Sequence, residues 1–200
     1  MELSYQFAPL PAYFGNTGKS VVKDKFAILL SGINTSADLF SFMRKQISGL
    51  KPSSRYMASF KVTIASDAPY GTIGAGGAPG ESVFLKVGAV PQKPKPYPYG
   101  NRLMNIDKGN QASEGRNALT IGNIAVPDLS VGGKYKFKTL ESQKPLVFTT
   151  DNEGKAWLFV GTDSGHTGLT RLYYSSIGVT IEEDHIVTVA QDKVITIPNK

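Results

Sequence analysis

The chain has no cysteine, one tryptophan, two histidines and no long apolar run. Each shortage excludes something. Without cysteine there is no disulfide framework and no thiolate metal site. Two histidines with no cysteine disfavour a zinc centre. No apolar stretch approaches the ~18 residues of a membrane-spanning helix. The opening "MELSYQFAPLPAYF" lacks a basic segment followed by an apolar one, so no signal segment is expected within these residues. Concentrated positive charge is also missing. The net charge is +6, but the 22 Lys and Arg are spread from Lys19 to Lys200. The tightest group, Lys134, Lys136 and Lys138, alternates with Tyr135 and Phe137, as on a strand with one wet face. A nucleic-acid partner is therefore not expected, because such binders gather their charge on a face or arm.

What the chain does have is turn formers and aromatics: 21 Gly, 12 Pro, nine Tyr and ten Phe in 200 residues. That composition describes short aromatic-rich strands. The length suits one β domain over residues 1–200. The clearest strand is "RYMASFKVTIAS", residues 55–66, with Tyr56, Ala58, Phe60, Val62 and Ile64 on one face and polar residues on the other. "YSSIGVTIEED" repeats the pattern, with Tyr173, Ser175, Ile177, Val179 and Ile181 expected on one side. Further strands are expected at 3–7, 26–32, 82–90, 118–124, 135–140, 146–150, 156–161, 186–189 and 194–197, separated by Gly, Pro, Asn and Asp. The segment "TSADLFSFMRKQISGL" has apolar residues at helical spacing, with Ser36 and Gly49 as caps. The strand reading is preferred, because a hairpin through "GLKPSS" would give the strand at 55–66 a neighbour. These elements predict an all-β fold, a two-sheet antiparallel β-sandwich of jelly-roll type.

Five blocks, "SGINTSADLFSFMRKQISGLKPSSRY", "IASDAPYGTIGAGGAPGESVFLKVGA", "MNIDKGNQASEG", "IGNIA" and "WLFVGTDSGHTGLTRLYYSSIGVTI", cover about half of the chain in one order. Together they resemble a group of uncharacterised bacterial envelope proteins, often secreted or lipid-anchored, that has no assigned activity. The "ISGLKPSSRYMASFKV" turn and strand is also similar to a hairpin of jelly-roll carbohydrate-binding modules. The resemblance implies a secreted or cell-envelope β-sandwich and no catalytic residues. The group carries an aromatic after "TDSG" where this chain has His166, which removes the imidazole from any required set.

The stretch "GTDSGHTG" places Asp163, Ser164 and His166 together, as in a serine hydrolase. A triad draws its members from distant segments, and the G-x-S-x-G elbow is absent, so hydrolase chemistry ranks third among the readings. The stretch is expected instead to be a loop from a strand ending at Val160 to one starting near Leu169, with its three glycines at positive φ. The run "GTIGAGGAPGES" lacks phosphate-loop spacing and precedes a strand, so it reads as a tight structural loop. Trp157, within "AWLFVG", reads as core.

For a binding site, sugar recognition calls for exposed aromatic faces beside amides, carboxylates or arginine. Tyr97, Tyr99, Asn101 and Arg102, on a loop stiffened by Pro91, Pro94, Pro96 and Pro98, supply these types, with Asp163 and His166 as a second wall. The competing reading has the same prolines and tyrosines covering a sheet edge. Oxygen-rich turns at "MNIDKGNQ" and "DNEG" make Asp107 and Asp151 the residues that a structural calcium ion would use, though acidic turns without metal are commoner. The leading expectation is a non-catalytic binding module, with carbohydrate as the ligand. A structural or adhesion domain recognising protein is the alternative.

Overall fold

The computed structural model describes residues 3–9, 26–97, 103–129 and 135–184, and no helix is present among them. Ten strands form two antiparallel sheets: β1 (Leu3–Pro9), β2 (Phe26–Asn34), β3 (Leu39–Ile47), β4 (Arg55–Ser66), β5 (Val83–Val90), β6 (Ala118–Asn123), β7 (Lys136–Glu141), β8 (Leu146–Thr149), β9 (Ala156–Ser164) and β10 (Gly168–Glu183). The first sheet has the order β1-β2-β10-β4-β7, with β8 following β7 along the same edge of β4. The second has the order β3-β9-β5-β6. From β2 onward the chain crosses repeatedly between the sheets, which is the jelly-roll winding, and β1 extends the first sheet past β2. The strand expectations at 186–189 and 194–197 lie outside the described residues.

The core forms because the pleat sends alternate side chains inward. On β4, Tyr56, Ala58, Phe60, Val62 and Ile64 are all buried. They pack against Val83, Leu85, Val87 and Ala89 of β5 and Val160 of β9 in the opposite sheet. Burying one such aliphatic or aromatic side chain stabilises by ~1.5–3 kcal/mol, so this single strand fixes the facing of the first sheet.

Four details depart from the sequence reading. Residues 39–47 are a strand, but β3 pairs with β9 and lies in the other sheet from β4. The "GLKPSS" segment is therefore a crossing rather than a hairpin. It is held by Leu50 N donating to Gly154 O (3.2 Å) and Ser53 N to Asp151 O (2.8 Å). Second, β10 has a register shift between Tyr174 and Ser176, which reverses the parity of the strand. Tyr173 consequently joins Tyr135, Phe137 and Ala65 in a cluster apart from the main core, while Leu172 and Tyr174 are buried within it, and Val179 and Ile181 pack against it. Third, β9 runs to Ser164 and β10 starts at Gly168, so Asp163 and Ser164 belong to a paired strand and only three residues make the turn. Finally, of the glycines in "GTDSGHTG" only Gly168 has a positive φ, at 140°.

Candidate functional site

The outer face of the second sheet carries the most elaborate side-chain chemistry. Phe40 and Phe42 alternate with Leu39, Ser41 and Met43 along β3 and so point away from the core. Their rings stack at 4.9 Å, and Phe159 of β9 meets both edge-on at 6.3 Å. The segment after β5 folds over them: Met104 and Ile106 complete an apolar cluster with Val90, Ala118, Phe159 and Trp157.

The proline-rich loop is tied down as a narrow ladder against its own return. Tyr97 N donates to Leu103 O (2.9 Å), Asn105 N to Lys95 O (3.1 Å), and Arg44 Nη1 to Pro94 O (2.5 Å). Asn105 braces it further, its Oδ1 accepting from Lys95 N at 2.8 Å and its Nδ2 donating to Lys93 O at 3.0 Å.

Beneath the 107–113 loop lies a buried charged cluster. Asp163 is wholly buried, and its Oδ2 accepts from Lys108 Nζ (2.6 Å) and from Gln111 N (2.8 Å). Lys108 Nζ also sits 5.2 Å from the Phe40 ring centre. Lys86, equally buried, donates to Ser113 O (2.6 Å) and Thr120 Oγ1 (2.7 Å). Burial pulls its ammonium down to about 8, against the opposing attraction of the Asp163 charge. These bonds fasten the loop to β5 and β9, so the "NIDKGNQAS" segment is held by side chains from the sheet it covers.

A second set of contacts builds the adjoining corner. Asn34 is buried and its Nδ2 donates to Ser164 O (2.9 Å) and His166 O (2.8 Å), while its Oδ1 accepts from Ser36 N (3.1 Å). The β2–β3 corner is thereby stitched to the β9–β10 turn. The glycine-rich loop packs on the other side of that turn, with Thr167 N donating to Ala75 O and Gly165 N to Ser82 O, both at 2.8 Å. At Gly76 a Cβ would lie 2.6 Å from both Gly165 O and Thr167 Oγ1, so the approach requires glycine.

Between these two constructions runs a groove of about 510 Å³. Phe40 and Phe42 contribute to its lining, Asn34, Thr35, Ser36 and Asp38 form one wall, Pro96 and Met104 another, and Arg44 also lines it. A second hollow of about 370 Å³ shares Asp38 and Met104 and continues past Leu103, Asp107, Lys108 and Asn110. The two adjoin at Asp38 and Met104 and together make a partly apolar trough with hydroxyl, carboxylate, amide and cationic groups along its rim.

The residues singled out from sequence distribute unevenly over this landscape. Tyr97 is 54% exposed, next to Pro96 at the trough's edge. Tyr99, Asn101 and Arg102 lie outside the described residues. Asp163 has no surface for a ligand to touch and serves as the anchor of the 107–111 loop. His166 lies between turns, its Nδ1 donating to Gly77 O at 3.0 Å. Ser164 is buried and gives its hydroxyl to His166 O (3.1 Å), and the pleat sends it to the opposite face of β9 from Asp163. No hydrolytic relay exists between them. Asp107 accepts from Gly109 N, Arg116 N and Arg116 Nε, bonds that hold its carboxyl below the usual range. Asp151 Oδ1 accepts from Glu153 N and Lys155 N. Both carboxylates therefore brace their own turns, and no group of three or more acidic or histidine residues suited to a metal occurs among the described residues. Phe40, Phe42, Asp38 and Arg44 were not singled out. Their only sequence signal was the alternation of Phe40 and Phe42, which is equally the mark of a core strand.

No known protein family and no curated protein matches the chain. Solved structures that resemble it include the C-terminal domain of EclA, a sugar-binding protein, at 14% identity and TM-score 0.37, covering 84% of this chain and 89% of that one. A candidate sugar-binding protein of Bacteroides thetaiotaomicron aligns at 12% identity and TM-score 0.38, over 92% of this chain and 82% of its own. The enzymatically active domain of bacteriophage CBA120 tailspike protein 4 aligns at 10% identity and TM-score 0.31, over 90% of this chain and 19% of the tailspike chain.

Proposed function

We propose that the protein is a non-catalytic carbohydrate-binding module whose site is the trough on the outer face of the second sheet. The observation that carries this reading is the pair of stacked rings, Phe40 and Phe42, in a groove of about 510 Å³ whose wall is Asn34, Thr35, Ser36 and Asp38. A pyranose has an apolar C–H face and a rim of hydroxyls. It needs an aromatic surface for the first and oxygen or nitrogen partners for the second. The volume lies in the ~300–1,000 Å³ range of small-molecule sites, and the continuation past Asp107 and Asn110 gives room for a second sugar unit. The walls are rigid because buried Asn34 and Asp163 fasten the loops behind them, so little ordering cost falls on the ligand.

The test is a glycan array followed by calorimetry on the best ligand, with wild type, Asp38→Ala and Phe42→Ala. Asp38 is exposed, so its removal leaves the fold intact while cutting affinity about tenfold or more, the loss of one charge-assisted hydrogen bond. Binding that ignores both substitutions would place the site elsewhere. A secreted or cell-envelope address belongs to the same proposal, resting on the resemblance of the five blocks, and fractionation of the source cells checks it.

A further inference from the structure

A second opening lies on the other face of β3. Here β3 is the edge strand of the second sheet, faced across the opening by β2 and β10 of the first. Between the sheets there is a cleft of about 540 Å³, lined by Ile28, Met43, Ile47, Leu158, Ile177 and Val179 among others. It reaches one strand in from the edge, to β9, and is roofed by β10 beyond its bulge. Ile177, opposite Val62 on the inward register, is 40% exposed there. At the mouth stands Lys45. It pairs with Leu158 between Met43 and Ile47 on the register of β3 that faces the core, yet its side chain is exposed. No ion-pair partner for it occurs among the described residues.

We propose that this cleft binds a long-chain fatty acid, its hydrocarbon between the sheets and its carboxylate on Lys45. The lining decides against a peptide. A strand lying between two sheets would leave its backbone N–H and C=O groups with no partner, which is costly, whereas a methylene chain has none to satisfy. A strand added to the edge of β3 would lie in the plane of the sheet and leave the cleft unfilled. Lys45 supplies the charge complement for one anionic end group, while Arg44, the other cation lining the cleft, is engaged by Pro94 O and the Phe42 ring.

The experiment is calorimetry and thermal melting with palmitate below its micelle concentration, together with laurate and decanoate. Palmitate should bind one to one and raise the melting temperature, because it stabilises only the folded state. Affinity should fall roughly fourfold for each methylene removed. Lys45→Glu should weaken palmitate about fivefold or more, as reversal of one partly screened ion pair. Ile177→Trp fills the cleft from an already exposed position. It should keep its own melting temperature within a few degrees and lose the response to palmitate. The idea is overturned if palmitate leaves or lowers the melting temperature, if chain length has no effect, or if both variants bind like wild type. Equal binding to phosphatidylglycerol vesicles with no response to free palmitate would also overturn it, since that marks a membrane surface as the partner.

Discussion

Replacing Asp163 by alanine should destabilise the fold and loosen the trough together. The carboxylate is fully buried and meets Lys108 Nζ at 2.6 Å and the backbone N–H of Gln111 at 2.8 Å. Alanine leaves that N–H without its acceptor, at ~1–3 kcal/mol, and leaves Lys108 without its counter-ion. Breaking a buried pair on one side typically costs ~3–5 kcal/mol in all. Lys108 is 14% exposed and can turn part of the way to water, which favours the lower half of that range. For a domain of this size ~3 kcal/mol corresponds to a fall of roughly 6–12 °C in melting temperature. Urea unfolding of wild type, Asp163→Ala, Lys108→Met and the double variant measures it, with a coupling energy of ~1.5 kcal/mol or more expected between the two sites. Because the same loop carries Asp107, Lys108 and Asn110 along the trough, amide exchange in 107–113 should quicken in Asp163→Ala even below the transition. A loss under 1 kcal/mol, or no coupling, would refute the assignment of Asp163 as the loop's anchor.

Three further outcomes follow from the same packing. Lys86 titrates from about 8 in the fold and near 10.5 unfolded, so between these values the unfolded chain holds the proton that the folded amine has released. Stability should therefore rise by ~2–3 kcal/mol from pH 8 to 10.5 relative to Lys86→Met, and urea midpoints for the pair at several pH values check the sign. Gly76→Ala forces a Cβ to 2.6 Å from Gly165 O and Thr167 Oγ1 at a φ of 70°, which should cost ~1–3 kcal/mol in thermal melts. A chelator should leave the melting temperature unchanged, since the Asp107 and Asp151 carboxylates are already engaged by backbone N–H groups of their own turns.

The fold was legible where one face is dry and the other wet. Residues 55–66 announce themselves because every second side chain from Tyr56 to Ile64 is buried against β5 and β9, the alternation giving way only at Ala65 and Ser66, both buried. Residues 168–183 were harder, because a bulge inside a strand changes which face a residue occupies without leaving a mark in composition. "GTDS" resembled a loop because glycine, aspartate and serine usually make turns. Here those residues are strand because β3 and β5 pair with them on both sides, a long-range condition no local pattern carries. The trough was hidden for a related reason. Phe40 and Phe42 have the spacing of core residues, and only the fact that Leu39 and Met43 face inward turns them outward. Lys86 and Lys108 likewise looked like scattered surface charge. Their burial depends on the 107–113 loop folding back over β5.

Sugar binding in the trough beside Phe40 and Phe42 is open to measurement residue by residue. Its most direct measurement is ligand titration followed by amide and methyl chemical shifts, using the strongest glycan from an array. Saturable shifts confined to 34–44, 96–97 and 103–110 are expected, abolished in Phe42→Ala and weakened in Asp38→Ala. Shifts centred on another face, or no glycan bound by the intact protein at millimolar concentration, would contradict it.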